Sequence, residues 1–299
     1  MTLFTGLSAF PLTPADEDGQ LKSELLQRFL ERIVIAGADS IGLLGSTGGY
    51  AYLTPEERKR TLRAAVECVA GRTPLIVGVG ALTTEVAADL ARDARKAGAD
   101  GLLLAPMSYQ PLTHEEVFRL FESVAAAGEL PLCIYNNPGT TKFTFSPDLI
   151  ARLAELPNVA AVKMPLPADG DYEGEMQRLR AITPEGFAIG YSGDWGAKDA
   201  LLAGGACWYS VVAGLLPEPA LSLTRAAQAG NAAEAKRIDH AFAPLWAMFR
   251  EFGSFRVMFA IAETLGCGPI TPPRPILPLE PAYRERVEVA LRPLLQVAS

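Results

Sequence analysis

A short pattern recurs along the chain and restricts the folds that it can adopt. A segment with helical spacing of apolar residues ends in an Ala-Gly pair, and a mostly apolar run begins two residues later. The pattern is found at Ala36–Leu44, Ala97–Ala105 and Ala203–Val212. Glycine commonly follows the end of a helix, because it adopts left-handed backbone without strain. An apolar run without alternation is typical of a parallel strand covered on both faces.

Eight strands of this kind alternate with helical segments. The predicted strands are Leu3–Phe10, Ser40–Leu44, Leu75–Val79, Gly101–Ala105, Pro131–Tyr135, Val159–Lys163, Phe187–Tyr191 and Cys207–Val212. Several helices are expected to begin just after a Ser or Thr, as at Thr54, Thr113 and Ser146. A strand about every 30 residues predicts an α/β fold, a (β/α)₈ TIM barrel. An open doubly wound sheet is the alternative.

The barrel is predicted to occupy residues 1–222 and to carry the active site. Residues 223–299 predict a C-terminal helical extension, interrupted by the Pro-rich loop Gly268–Pro278. Because no linker separates the two parts, we expect the extension not to be an independent domain.

Composition and charge narrow the functional class. A hydrophobic content of 49% indicates a globular protein rather than a disordered one. The net charge of −7 argues against nucleic acid or an anionic membrane as the main partner. The apolar runs are well below the roughly 20 residues of a spanning helix, and we expect no secretory signal. Four scattered cysteines and two histidines favour reduced thiols in a cytoplasmic protein and predict no metal site.

Polar residues mark the predicted carboxyl ends of several strands, where barrels of this kind carry their catalytic groups. Lys163 ends the sixth strand among apolar neighbours, and desolvation favours its neutral, nucleophilic amine. Tyr135 ends the adjacent strand, and its phenol can relay protons. Ser46 and Thr47 lie in a glycine-rich loop suited to a small carboxylate. Position alone also fits structural roles: a lysine that snorkels to solvent, a tyrosine that caps the core, and a tight loop.

Two other motifs do not fit the sequence. A dinucleotide-binding fingerprint that begins at Gly78 and Gly80 needs a third glycine at position 83, where the chain has Thr83. A nucleophile elbow around Ser46 needs glycine two residues earlier, where the chain has Leu44. These departures disfavour a nucleotide-dependent oxidoreductase and a serine hydrolase.

The polar residues together resemble the dihydrodipicolinate synthase / N-acetylneuraminate lyase family over nearly the whole chain. The resemblance rests on Gly45–Gly48, on the Tyr-Asn-x-Pro motif of Tyr135, Asn136 and Pro138, and on Lys163. It implies a (β/α)₈ barrel with a C-terminal helical region, commonly assembled as a homotetramer. It also implies a Schiff base between a lysine and pyruvate or another 2-oxo acid, formed without a metal or an organic cofactor.

The resemblance assigns a role to each matching residue. Lys163 is identified as the Schiff-base lysine, and Tyr135 as the proton donor and acceptor. Ser46 or Thr47 is expected to complete the proton relay and to bind the substrate carboxylate. Tyr109 matches a relay tyrosine lent to a neighbouring subunit, although the usual tyrosine pair here reads Met-Ser-Tyr.

Three further positions concern the substrate. Tyr209 matches a position that contacts the bound 2-oxo acid through its backbone. Thr140 stands where dihydrodipicolinate synthases usually carry an arginine that holds the aldehyde's carboxylate, and Gly49 replaces a glutamate. The segment 164–167, with Trp195 and Trp208, predicts a more apolar acceptor side than in a lysine-pathway enzyme.

These features predict a class I carbon–carbon lyase or synthase that forms a lysine Schiff base with pyruvate or a related 2-oxo acid. An aldehyde is the expected second substrate, in condensation or in retro-aldol cleavage. A dehydratase or deaminase that uses the same imine is one alternative. A non-catalytic 2-oxo acid sensor on the same scaffold is another.

Overall fold

Eight parallel strands close into a barrel in the order of the chain, and the first strand pairs with the last. They are β1 (Gly6–Ala9), β2 (Ser40–Leu43), β3 (Leu75–Gly78), β4 (Gly101–Leu104), β5 (Leu132–Tyr135), β6 (Val159–Met164), β7 (Ala188–Tyr191) and β8 (Cys207–Ser210). Seven of the eight predicted runs contain one of these strands, and β6 extends one residue beyond the predicted sixth run, to Met164. The predicted (β/α)₈ barrel is confirmed, and the open sheet is excluded by its closure.

The computed structural model describes residues 3–16, 18–268 and 270–297. Residues 1, 2 and 17 of the predicted barrel, and residues 269, 298 and 299 of the predicted extension, lie outside this part. The helices are α1 (Ser23–Ala36), α2 (Pro55–Val69), α3 (Thr84–Ala97), α4 (His114–Gly128), α5 (Pro138–Thr141), α6 (Pro147–Ala154), α7 (Tyr172–Ile182), α8 (Ala197–Leu202), α9 (Pro217–Gln228), α10 (Ala232–Phe252), α11 (Ser254–Thr264) and α12 (Arg284–Val297).

The helix ends follow the predicted signals. The hydroxyls of Thr54, Thr113 and Ser146 accept hydrogen bonds from backbone N–H groups in the first turns of α2, α4 and α6. Gly37 and Gly98 follow α1 and α3 with φ values of 78° and 98°. Their N–H groups bind the last carbonyls of those helices, so the chain turns directly into β2 and β4.

The C-terminal helices pack on one another and on the barrel. Residue 223, where we predict the extension to begin, lies within α9, which packs against β1 and against α10. The division into a barrel and an extension therefore stays a prediction. Within the described part of the chain, no helix has both the length and the apolar character needed to cross a bilayer.

The register of the barrel brings two of the predicted functional residues side by side. Tyr135 at the end of β5 is the cross-strand partner of Lys163 on β6. Lys163 in turn pairs with Gly190 on β7. Because all eight strands are parallel, the loops that follow them meet on one rim of the barrel. The active-site candidates on β2, β5 and β6 therefore share that rim.

Candidate active site

A cleft of about 890 Å³ opens on the carboxyl-terminal rim of the barrel. Its inner end is formed by four predicted site residues, Ser46, Thr47, Tyr135 and Lys163. The cleft continues outward between the loops after β6 and β7 and the helices α10 and α11. The extension thus contributes directly to the cleft that the barrel strands begin.

Lys163 lies at the inner end with its side chain 3% exposed. Its Nζ is 4.1 Å from the ring centroid of Phe10, 4.5 Å from that of Tyr135 and 5.5 Å from that of Tyr209. Phe10 fits there because glycines on β2 and just after it face the ring: a Cβ at Gly42 would lie 2.2 Å from the Phe10 ring, and one at Gly45 2.5 Å from it. The three rings exclude water from the sides of the amine and restrict where its tip can lie.

The Tyr135 hydroxyl is held by polar groups on two loops. It donates a hydrogen bond to Ser46 Oγ at 3.0 Å and accepts one from Asn137 Nδ2 at 3.1 Å. Burial acts to raise the pKa of Tyr135, but the charge of Lys163 and the hydrogen bonds with Ser46 and Asn137 outweigh it and lower that pKa. A phenol with a lowered pKa beside an amine is suited to carry a proton to and from an adduct on that amine.

Asp194, which follows β7, is a buried carboxylate in the cleft to which the sequence assigned no role. Its oxygens accept hydrogen bonds from Trp208 Nε1 at 3.1 Å and from the backbone N–H groups of Val211 and Val212 at 3.1 and 2.7 Å. Burial raises the pKa of Asp194 to about 6, although these bonds and the charge of Lys163 act to lower it. The carboxylate ties the turn after β7 to the turn after β8, next to the amine.

The other predicted residues lie at different distances from the amine. Thr140 lines the cleft, and its hydroxyl donates to the Asn137 carbonyl at 3.2 Å. Tyr209 is buried beneath Lys163, with its hydroxyl 3.4 Å from Cys133 Sγ. Tyr109 is 92% exposed on the loop after β4 and is not part of the cleft lining. Its role across a subunit interface stays a prediction.

The two tryptophans expected on the acceptor side differ in position. Trp195 lines the cleft and is 39% exposed. Trp208 is 1% exposed in the barrel wall, where its indole N–H binds Asp194. Trp208 therefore supports a carboxylate of the site and does not form the acceptor surface, and that part of the expectation is wrong.

Comparison with known proteins places this geometry in a family. The model of the dihydrodipicolinate synthetase family matches residues 3–294. The 4-hydroxy-tetrahydrodipicolinate synthase of Methylibium petroleiphilum is 36% identical over 283 residues, with 94% of each chain covered. This chain belongs to the dihydrodipicolinate synthetase family.

Solved structures agree with the family assignment. A dihydrodipicolinate synthase from Agrobacterium tumefaciens is 60% identical and superposes with a TM-score of 0.97 over 98% of each chain. The chloride-inhibited dihydrodipicolinate synthase of Acinetobacter baumannii, determined with pyruvate, is 29% identical, with a TM-score of 0.88 over 98% of this chain and 99% of the other. The resemblance inferred from the motifs is confirmed, as is the expected enzyme class, a class I Schiff-base lyase or synthase.

Two polar groups of the site were not identified from the sequence. Asn137 occupies the variable position of the Tyr-Asn-x-Pro motif, and its side-chain bond to Tyr135 is visible only in the structure. Asp194 follows the predicted seventh strand, and no role was expected for it. Its position after a predicted barrel strand is the sequence signal by which Asp194 could have been identified. As for metals, the described residues include no group of three His, Cys, Asp or Glu side chains placed to hold an ion.

Proposed function

We propose that the protein condenses pyruvate, or a closely related 2-oxo acid, with an aldehyde through a Schiff base on Lys163, or catalyses the reverse cleavage. The observation that carries the proposal is the register pair of Tyr135 and Lys163 at the closed end of the cleft, with Tyr135 bonded to Ser46. A buried amine and a phenol of lowered pKa are thereby adjacent. The pyruvate complex of the A. baumannii relative is consistent with this choice of substrate.

The residues divide the reaction between them. The Lys163 amine adds to the ketone carbon, and Tyr135 supplies the proton with which the carbinol oxygen leaves as water. The resulting iminium accepts the electron pair when a proton leaves the substrate methyl group, which gives an enamine. Ser46 and Thr47 hold the carboxylate of the 2-oxo acid through their hydroxyls and the backbone N–H groups of their loop. Tyr209 is proposed to contact the same acid through its backbone.

Borohydride trapping tests this assignment. Reduction in the presence of pyruvate should inactivate the protein and add the mass of the reduced adduct to Lys163 alone among the seven lysines. Lys163→Ala should abolish both the adduct and turnover while the far-UV spectrum remains unchanged. Lys142→Ala is the matched control, because Lys142 lies on the same rim with its Nζ bonded to the Gly139 carbonyl. An adduct on another lysine, or none, contradicts the proposal.

Exchange of the pyruvate methyl protons separates an enzyme from a sensor. An enzyme that forms the enamine should exchange these protons with deuterated solvent even without an aldehyde. A non-catalytic 2-oxo acid sensor would bind pyruvate and leave the protons in place. Exchange that is absent from the wild-type protein would favour the sensor.

We propose in addition that the protein is a homotetramer in which Tyr109 reaches a neighbouring cleft. A groove beside α4 supports an interface there: Leu82, Met107 and Leu112 line it together with charged residues of α4, and Leu82 is 66% exposed. Tyr109 lies on the loop between Met107 and Leu112. Light scattering should give a mass of four chains, and Tyr109→Phe should lower turnover. A fully active monomer would refute the role of Tyr109.

We further propose that the protein acts in the cytoplasm. All four cysteines are free thiols, which suits a reducing compartment. Fractionation of the native host, with detection of the protein by antibody, tests the location, and recovery from an extracytoplasmic fraction would contradict it.

A further inference from the structure

The outer part of the cleft is lined by side chains that the proposed chemistry does not use. They come from the loop after β6, from the loop after β7 and from the helices of the extension. The larger apolar members are Pro165, Leu166, Pro167, Trp195, Phe249 and Phe255. Since an aldehyde must approach the enamine from the open side of Lys163, this part of the cleft is the acceptor site.

The charges of the cleft bear directly on the acceptor. Lys163 is the only Lys, Arg or His among the described residues that line the cleft, and its nitrogen carries no charge in the enamine that attacks the aldehyde. The acidic residues of the lining are Asp169 and Asp194. Lys142, which directly follows α5, bonds the Gly139 carbonyl and does not line the cleft. A carboxylate on the acceptor would therefore lose its hydration without gaining a cationic partner.

The apolar wall is fixed by close packing. Leu166 lies against the turn 193–196, and glycine is required on that turn at two places: a Cβ at Gly193 would be 2.8 Å from Leu166 Cγ, and one at Gly196 would be 2.6 Å from Leu166 Cδ1. Trp195 stands between these glycines and remains 39% exposed toward the cleft. The leucine and the indole thus form a preformed surface, as ligand sites for apolar groups usually do.

We propose that the natural acceptor is an aromatic or bulky apolar aldehyde without a carboxylate, and that Trp195 and Leu166 determine this specificity. The inference rests on the proposed function. In the condensation, the enamine carbon forms a bond to the aldehyde carbon while the aldehyde oxygen takes a proton from Tyr135. Water then hydrolyses the imine, which restores the Lys163 amine and releases a 4-hydroxy-2-oxo acid.

Matched aldehydes test the two halves of the inference separately. Benzaldehyde against butanal measures the preference for an aromatic ring, and butanal against succinic semialdehyde measures the effect of a carboxylate at equal chain length. Aspartate semialdehyde completes the set. With pyruvate saturating, kcat/KM should fall from benzaldehyde to butanal and again to both semialdehydes. Efficient turnover of aspartate semialdehyde, above that of benzaldehyde, would overturn the inference.

Substitutions test whether the preference for an aromatic aldehyde depends on the apolar wall of the cleft. Trp195→Ala should lower kcat/KM for benzaldehyde by about 10–100-fold, the effect of losing one well-packed aromatic contact. Borohydride trapping with pyruvate should be unchanged in this variant. Ile35→Ala, which removes an exposed apolar side chain from α1, serves as control and should behave as wild type. An equal loss with every aldehyde would mean that Trp195 does not determine specificity.

Thr140→Arg tests the charge argument from the other direction. A guanidinium at that position would supply the missing cation and should raise kcat/KM for aspartate semialdehyde by roughly 10–150-fold. No gain for the semialdehyde in a folded variant that still traps pyruvate would count against the charge argument. Absence of trapping in the wild-type protein would defeat the proposed function instead. Trapping combined with a preference for semialdehydes would defeat only this inference.

Discussion

At the inner end of the cleft, burial and hydrogen bonds fix Lys163 and Tyr135, whereas at the outer end packed apolar side chains form the wall. The inner groups stand on adjacent strands in register, with side chains 3% and 2% exposed. The outer wall comes from loops such as the turn 193–196 and from α10 and α11. The register of the strands determines where Lys163 and Tyr135 lie, so these two residues cannot shift without disturbing the barrel. The loops can change without doing so. Reaction type and acceptor choice are thus carried by different parts of the fold.

The strongest test of this division is Tyr135→Phe. The substitution removes the proton carrier and keeps the ring beside Lys163, so turnover should fall by about 10²–10⁴-fold with every aldehyde. Borohydride trapping should still occur, only more slowly, because the amine remains. Steady-state kinetics and quenched trapping with pyruvate measure the two effects.

The division predicts that this loss is uniform across acceptors. A Tyr135→Phe variant that loses activity with one aldehyde and keeps it with another would mean that the inner end also selects the acceptor. Near-normal turnover would mean that Tyr135 only covers the core and takes no part in proton transfer.

The same division explains which residues could be predicted from the sequence. Lys163 and Tyr135 end apolar runs, and the ends of parallel strands meet on one rim, so their proximity follows from the fold. The direction of side chains within those runs does not follow. Strands buried on both faces show no alternation, and the sequence therefore gave no sign that Phe10 faces the amine or that Trp208 binds Asp194.

Asp194 lies where the two ends of the cleft meet, and its titration gives the next largest effect. The pKa of the buried carboxyl is about 6 when folded, against an ordinary value of 3.8. The folded state therefore binds more protons between about pH 4 and pH 6, and the free energy of unfolding contributed by this group falls as the pH rises through that range. The total change is about 3 kcal/mol.

Asp194→Asn isolates this contribution. The amide does not titrate, so the stability of the wild type relative to the variant should fall by about 2 kcal/mol between pH 4.5 and pH 7. Urea unfolding of both proteins at several pH values measures the difference, and Asp169→Asn, an exposed carboxyl in the same cleft, is the control. Parallel pH profiles for wild type and Asp194→Asn would show that the carboxyl is not perturbed by burial.

The smallest effect is expected at Asn137, which follows β5 directly and touches the chemistry through one hydrogen bond. Asn137→Leu keeps the size of the side chain and removes the donor to the Tyr135 hydroxyl. One such bond is worth about 0.5–1.5 kcal/mol, so kcat/KM should fall by roughly 2–13-fold with every aldehyde. Because this bond helps to lower the pKa of Tyr135, its loss should also move the basic limb of the pH–rate profile upward. Asn137→Gln keeps an amide donor and should recover part of both effects. If Asn137→Leu instead changes the ranking of the aldehydes and leaves the pH profile in place, Asn137 belongs to the outer wall, and the boundary between chemistry and specificity lies deeper in the cleft.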